Sequence, residues 1–129
     1  MQKMKQRYIP FTTGPLQAGI AILTILTAIA HLYLAFSRGF PTRTIFILFL
    51  LNGIGYLVLL VALYSPPLAG TQRPIRWLLI LYTALTIILW AVIRYFNLFG
   101  YIDKLIEVLL ILLLVVEDVQ AANHKHTAS

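Results

Sequence analysis

Residues 100–118 read GYIDKLIEVLLILLLVVED. From Leu105 to Val116 the run is apolar apart from Glu107, and Leu and Ile dominate it. The alternating pattern of a barrel strand is missing. Backbone groups inside hydrocarbon must be satisfied within their own segment, so the run reads as a membrane-spanning helix. Its acids are misplaced for such a helix. Glu107 sits roughly two turns inside the span, where a carboxylate is costly unless it is paired or protonated.

Three segments of the same character precede it. The four spans cover about residues 15–36, 43–64, 74–96 and 101–119, each near the roughly 20 residues that cross the hydrocarbon. Thr13-Gly14-Pro15, Pro41-Thr42 and Arg73-Pro74 place proline at or just before a first turn, where its missing N–H costs nothing. Ser65-Pro66-Pro67 stops the second span. The loops are short, so neighbouring helices should run antiparallel. Composition agrees: of 129 residues, 60% are hydrophobic and 11% charged, with a mean hydropathy of +0.89. Soluble domains carry about a quarter charged residues. The expected fold is therefore all-α, an integral-membrane up-down four-helix bundle, with residues 1–129 forming a single transmembrane domain. The basic segment before Pro15 resembles a signal peptide. The apolar run behind it is too long for an h-region and no small-residue cleavage site follows, so it is read as a retained first span.

The chain has no cysteine, which excludes disulfides, iron–sulfur clusters and thiolate metal sites. Its net charge is +6, but the basic residues stand at segment ends rather than in one block. That distribution suits orientation in a membrane and contact with lipid headgroups, not nucleic-acid binding. Lys3, Lys5, Arg7, Arg73, Arg76 and Lys125 fall on one face of the bundle. Arg38, Arg43, Arg94 and Lys104 fall on the other. The surplus places the protein in the cell membrane with both termini cytoplasmic.

An up-down bundle brings the end of the first helix, the start of the second, the end of the third and the start of the fourth to one membrane face. His31 and Glu107 then lie roughly 8–9 Å below the same surface, and Asn52 about 13 Å down the second helix. Arg94 ends the third helix on that side, with Trp90 one turn deeper. His31, Asn52, Trp90, Arg94 and Glu107 are thus the candidate ligand-binding residues, gathered in one half of the bundle. Helical spacing adds two stripes that should face inward. Gln17, Ala21, Thr24, Thr27, Ala28, His31 and Ala35 form the first, and Tyr82, Thr86, Trp90, Arg94 and Asn97 the second.

Plainer roles are expected for most polar residues. Thr24, Thr27, Thr86 and Asn52 should join helices by hydrogen bonds. Asp103 should cap the fourth helix or meet its positive dipole end, Lys104 should snorkel to headgroups, and Glu117-Asp118 should mark that helix's far end. Tyr8, Tyr33, Phe36, Tyr64, Trp77, Phe99 and Tyr101 suit an interfacial aromatic belt. The His124-Lys125-His126 tail should be disordered. Gly53-x-Gly55 lies within a span and serves packing, not phosphate binding. Glu107 is expected to point inward and meet Arg94 or His31, with Asn52 as the alternative partner. That group is a structural pair, a site for a quinone, lipid, pigment or proton, or a carboxylate that snorkels or meets another subunit. His31 is the only histidine inside a span, so haem held by two histidines of this chain is excluded, and no metal site is assigned.

His31-Leu32-Tyr33-Leu34, Asn52-Gly53-x-Gly55-Tyr56, Tyr82-Thr83 with Trp90, and Asp103-Lys104-x-x-Glu107 resemble small four-span prokaryotic integral membrane proteins. The resemblance implies a four-helix fold and no activity. Two functions follow as expectations. One is a non-catalytic accessory or structural subunit of a larger membrane complex, of the energy-converting kind, with lipids and other subunits as partners. The other is a membrane protein with a one-sided polar pocket built around Glu107 and His31.

Overall fold

The computed structural model describes residues 8–37, 43–93 and 98–128. A short 3-10 turn, Phe11–Thr13, leads into α1 (Pro15–Ser37). Then follow α2 (Arg43–Leu63), a 3-10 segment (Pro66–Thr71), α3 (Gln72–Ile93) and α4 (Leu98–Ala128). Each helix packs on its neighbours in sequence and α1 closes the ring on α4, giving an up-down four-helix bundle. Pro15 opens α1 as expected. In α3 the helix begins at Gln72, so Pro74 falls within the first turn, where its missing N–H needs no partner.

The inward seam of α4 is Asp103, Glu107, Leu110, Leu114, Glu117 and Ala121, all buried. The alternating spacing of four and three is that of a bundle helix facing its partners. The inward stripe of α1 is likewise buried from Gln17 to Ala35. Between the two polar ends lies an apolar middle of Ile20, Ala28, Leu79, Leu110 and Leu114. The outer faces carry exposed Val58, Val61, Leu81, Val92 and Leu105, surface that lipid tails accept and water does not. Among the described residues, three helices are long and apolar enough to cross a membrane, over Pro15–Phe36, Phe46–Leu63 and Gln72–Val92. These segments point to a multi-pass membrane protein. The fourth helix is longer and more charged, and Asp103, Lys104, Glu107, Glu117 and Asp118 on it are buried.

The last helix departs from expectation at both ends. It starts at Leu98 and continues to Ala128, well past the end near residue 119 read from hydropathy. Glu117 and Asp118 therefore do not mark its terminus, and the tail expected to be disordered is helical through Ala128. A helix can run beyond its apolar stretch when its polar residues find partners.

Gly53 sets the α1–α2 crossing. A Cβ there would lie 2.9 Å from the Ala28 carbonyl oxygen and 2.8 Å from Leu32. Backbone cannot yield as a flexible side chain can, so Gly53→Ala should force the helices apart and cost about 1–3 kcal/mol. Denaturation in mixed micelles would read this loss. An unchanged midpoint would show that the crossing has slack.

Candidate functional site

All four acidic residues of the chain lie on α4, at positions 103, 107, 117 and 118, and all four are buried. They form two clusters, because Glu107 and Glu117 are ten residues apart, about 15 Å along a helix. Leu110 and Leu114 fill the space between them.

The first cluster assembles around Glu107, which is 0% exposed. Tyr56 of α2 donates its hydroxyl to Glu107 Oε2 at 2.6 Å. Lys104 donates to Glu107 Oε1 from one turn earlier on α4. Thr27 of α1 donates to Asp103 Oδ1 at 2.7 Å and stands 3.2 Å from Glu107 Oε2. Lys104 Nζ also lies 3.3 Å from Asp103 Oδ2. His31 places Nε2 3.7 Å from that same oxygen, while Nδ1 is 2.7 Å from the Thr27 carbonyl. Phe49 and Tyr56 flank the imidazole, with ring centroids at 5.7 and 5.9 Å.

Several expectations need correction here. Glu107 does point inward, but its partners are Lys104, Tyr56 and Thr27. Neither His31 nor Asn52 is among its hydrogen-bond partners; His31 faces Asp103 instead, and Asn52 binds Thr86 at 3.2 Å. Arg94 and Asn97 lie outside the described residues. Lys104 does not snorkel to the headgroups. It is only 8% exposed, because two carboxylates on its own helix hold it in. Asp103 does not cap α4, since the helix begins five residues earlier. Glu107 also stands further along its helix than expected: it is the tenth residue of α4, about 14 Å from the helix start. Thr27 and Thr86 do join helices, whereas Thr24 bonds back to Ile20 within α1.

A cleft of about 240 Å³ lies beside this cluster. His31, Asn52, Trp90, Asp103 and Lys104 line its polar end, and Phe49, Tyr82 and several leucines line the rest. Leu48 and Leu51 of α2 and Leu85 and Leu89 of α3 border it and are themselves exposed on the outer surface. The cleft therefore opens sideways, between α2 and α3, toward the lipid. Glycine makes room at its wall. Tyr82 donates to the Asn52 carbonyl at 2.9 Å, and a Cβ on Gly55 would sit 2.2 Å from the Tyr82 hydroxyl. Of the expected site residues, His31, Asn52 and Trp90 line the cleft. Glu107 stands behind them and holds Lys104.

His31, Asp103 and Glu107 bring ligating atoms within 4.8 Å of one another. The Lys104 ammonium already bridges the two carboxylates, which is the place a metal ion would take. The geometry therefore describes an ion-pair network rather than a metal centre.

The second cluster was not foreseen. Arg76 of α3, 1% exposed, donates Nε to Glu117 Oε1 at 2.8 Å and Nη1 to Asp118 Oδ1 at 3.1 Å. Gln17 and Tyr64 donate to Glu117 Oε2 at 2.9 and 2.7 Å. Arg73 approaches Asp118 at 3.5 Å from the surface. Tyr64, expected in the aromatic belt, thus turns inward, and Tyr8 bonds its backbone carbonyl at 3.1 Å. Gln72 completes this end. Its amide pairs with both the N–H and the carbonyl of Ile9 at 2.8 Å and also reaches the Leu63 carbonyl at 3.0 Å, satisfying an orphan group at the end of α2.

No protein-family model, no curated protein and no solved structure matches the chain.

Proposed function

We propose that this protein binds a lipophilic small molecule that enters its lateral cleft from the membrane and sets a polar head group against His31, Asn52, Asp103 and Lys104. The observation that carries the reading is the coincidence of an apolar, lipid-facing mouth with a buried charged floor. Binding sites are typically apolar clefts with a few convergent polar groups, and buried ionisable residues inside membranes mark such places by default. Quinone, lipid and pigment head groups all belong to this class. Binding rather than catalysis is inferred, because Glu107 is occupied by Tyr56 and Lys104 and does not line the cleft. The other reading, a non-catalytic accessory subunit of an energy-converting complex, draws on the exposed Leu, Ile and Val of the outer faces. Acyl chains cover such faces equally well.

Extraction from native membranes in mild detergent, followed by native mass spectrometry, tests this. The expected result is a single bundle with one bound small molecule, lost when Leu85→Trp fills the mouth of the cleft. A defined larger assembly without a small molecule would favour the subunit reading instead.

We place the protein in the cell membrane with both termini cytoplasmic. Of the ten basic residues, Arg76 and Lys104 are committed to buried acids, one on each side. Discounting both leaves the surplus on the terminal face unchanged, so the orientation signal survives. Reporter fusions at the two termini should both report the cytoplasm. An external N-terminus would reverse the assignment and put the cleft in the inner half of the membrane.

A further inference from the structure

The two acidic clusters differ in charge balance. Around Glu117 and Asp118 stand Arg76 and Arg73, so two negative charges meet two permanent positive ones. Around Asp103 and Glu107 the described residues supply one permanent positive charge, Lys104. The other groups facing them are His31 of α1, Tyr56 of α2 and, behind Tyr56, Tyr82 of α3. With Glu107 ionised and the tyrosines and His31 neutral, the described residues of this cluster sum to one negative charge in a medium where such a charge is costly.

His31 shows where the balancing charge belongs. Nδ1 lies 2.7 Å from the Thr27 carbonyl, which can only accept, so Nδ1 bears the hydrogen. Nε2 then faces the Asp103 carboxylate at 3.7 Å. A neutral imidazole would set a lone pair against a carboxylate. A proton on Nε2 removes the conflict, and so would a cation in the cleft beside Asp103. The cleft suits the second choice, because Trp90, Tyr82 and Phe49 line it together with Asp103 and aromatic faces attract cations.

We infer that the occupant of the cleft is a lipophilic cation, bound against Asp103 and the aromatic wall in exchange for the proton on His31. It depends on the cleft being a binding site at all. The Glu117 cluster is already balanced and serves as a fixed clamp.

The test uses the full chain in nanodiscs with indole-labelled tryptophan, reading the Trp90 N–H signal by NMR against that of Trp77. Benzyltrimethylammonium is the probe, and neopentylbenzene is its uncharged isostere. Titrations run from about pH 5 to about pH 8, the range in which histidine changes charge. The cation should shift Trp90 and leave Trp77 unmoved. Its affinity should rise by up to about tenfold per pH unit, as release of one proton requires. His31→Gln should bind the cation with affinity independent of pH, and Asp103→Asn should lose at least about tenfold. If the uncharged isostere binds as well as the cation, or if wild-type affinity ignores pH, the exchange is wrong although the cleft stands as a binding site. If neither probe shifts Trp90, the cleft reading fails as well. The wild-type comparison needs no variant to fold.

Discussion

Arg76→Leu is expected to cost about 3–5 kcal/mol, the range found when one partner of a buried ion pair is removed. Arg76 is 1% exposed and its guanidinium bonds both Glu117 and Asp118. Its loss strands Glu117, which is 0% exposed and keeps only the Gln17 amide and Tyr64 hydroxyl as donors. Arg73 cannot substitute, because it reaches Asp118 alone and from the surface. Arg73→Leu should therefore cost no more than about 1 kcal/mol, as exposed pairs do. The double variant Arg76→Leu/Glu117→Leu should recover much of the loss, since a buried pair replaced by apolar residues of similar volume is often neutral. Steric trapping, or denaturation in mixed micelles, gives all three numbers. Equal losses for Arg76→Leu and Arg73→Leu would mean that the clamp does not hold this end of the bundle.

The four-helix bundle and the inward stripe of α1 were legible because hydropathy and a period of three to four residues report burial directly. Gln17, Thr24, Thr27 and His31 fall on that stripe and are buried. The partners were not legible. Lys104 and Arg76 look like snorkelling or loop cations when read singly, since each lies near a span end. What decides their direction is an acid that only tertiary contact supplies. A signal for Arg76 was present, unused, in the sequence. Gln72, Arg76, Leu79, Thr83 and Thr86 repeat at bundle spacing on α3, and Glu107, Leu110, Leu114 and Glu117 do so on α4. Extending both seams to the opposite membrane face would have placed Arg76 beside Glu117. The cleft was legible only in part. His31, Asn52 and Trp90 were singled out, but its opening depends on how far α2 and α3 diverge, which composition does not encode.

Lys104→Met carries the second large effect, again about 3–5 kcal/mol. Lys104 touches both Asp103 and Glu107, and it is the permanent positive charge among the described residues of that cluster. Removing it leaves two buried carboxylates facing His31, Thr27 and Tyr56. Glu107→Leu should be milder, at about 1–3 kcal/mol, because Lys104 keeps Asp103 at 3.3 Å and the groups left short of an acceptor are the Tyr56 hydroxyl and one Lys104 N–H. The pair should be strongly non-additive. Lys104→Met/Glu107→Leu should lie closer to wild type than Lys104→Met alone, since neighbours in one network couple by about 0.5–3 kcal/mol. Thermal or micellar denaturation of the three variants gives the coupling directly. The ordering is the informative result, because it separates two physical pictures of this lysine. If the Lys104 ammonium reached the headgroups, Lys104→Met would cost less than Glu107→Leu and the double variant would be additive. The opposite ordering, with coupling, requires the ammonium to sit between the carboxylates, where it fixes the floor of the cleft.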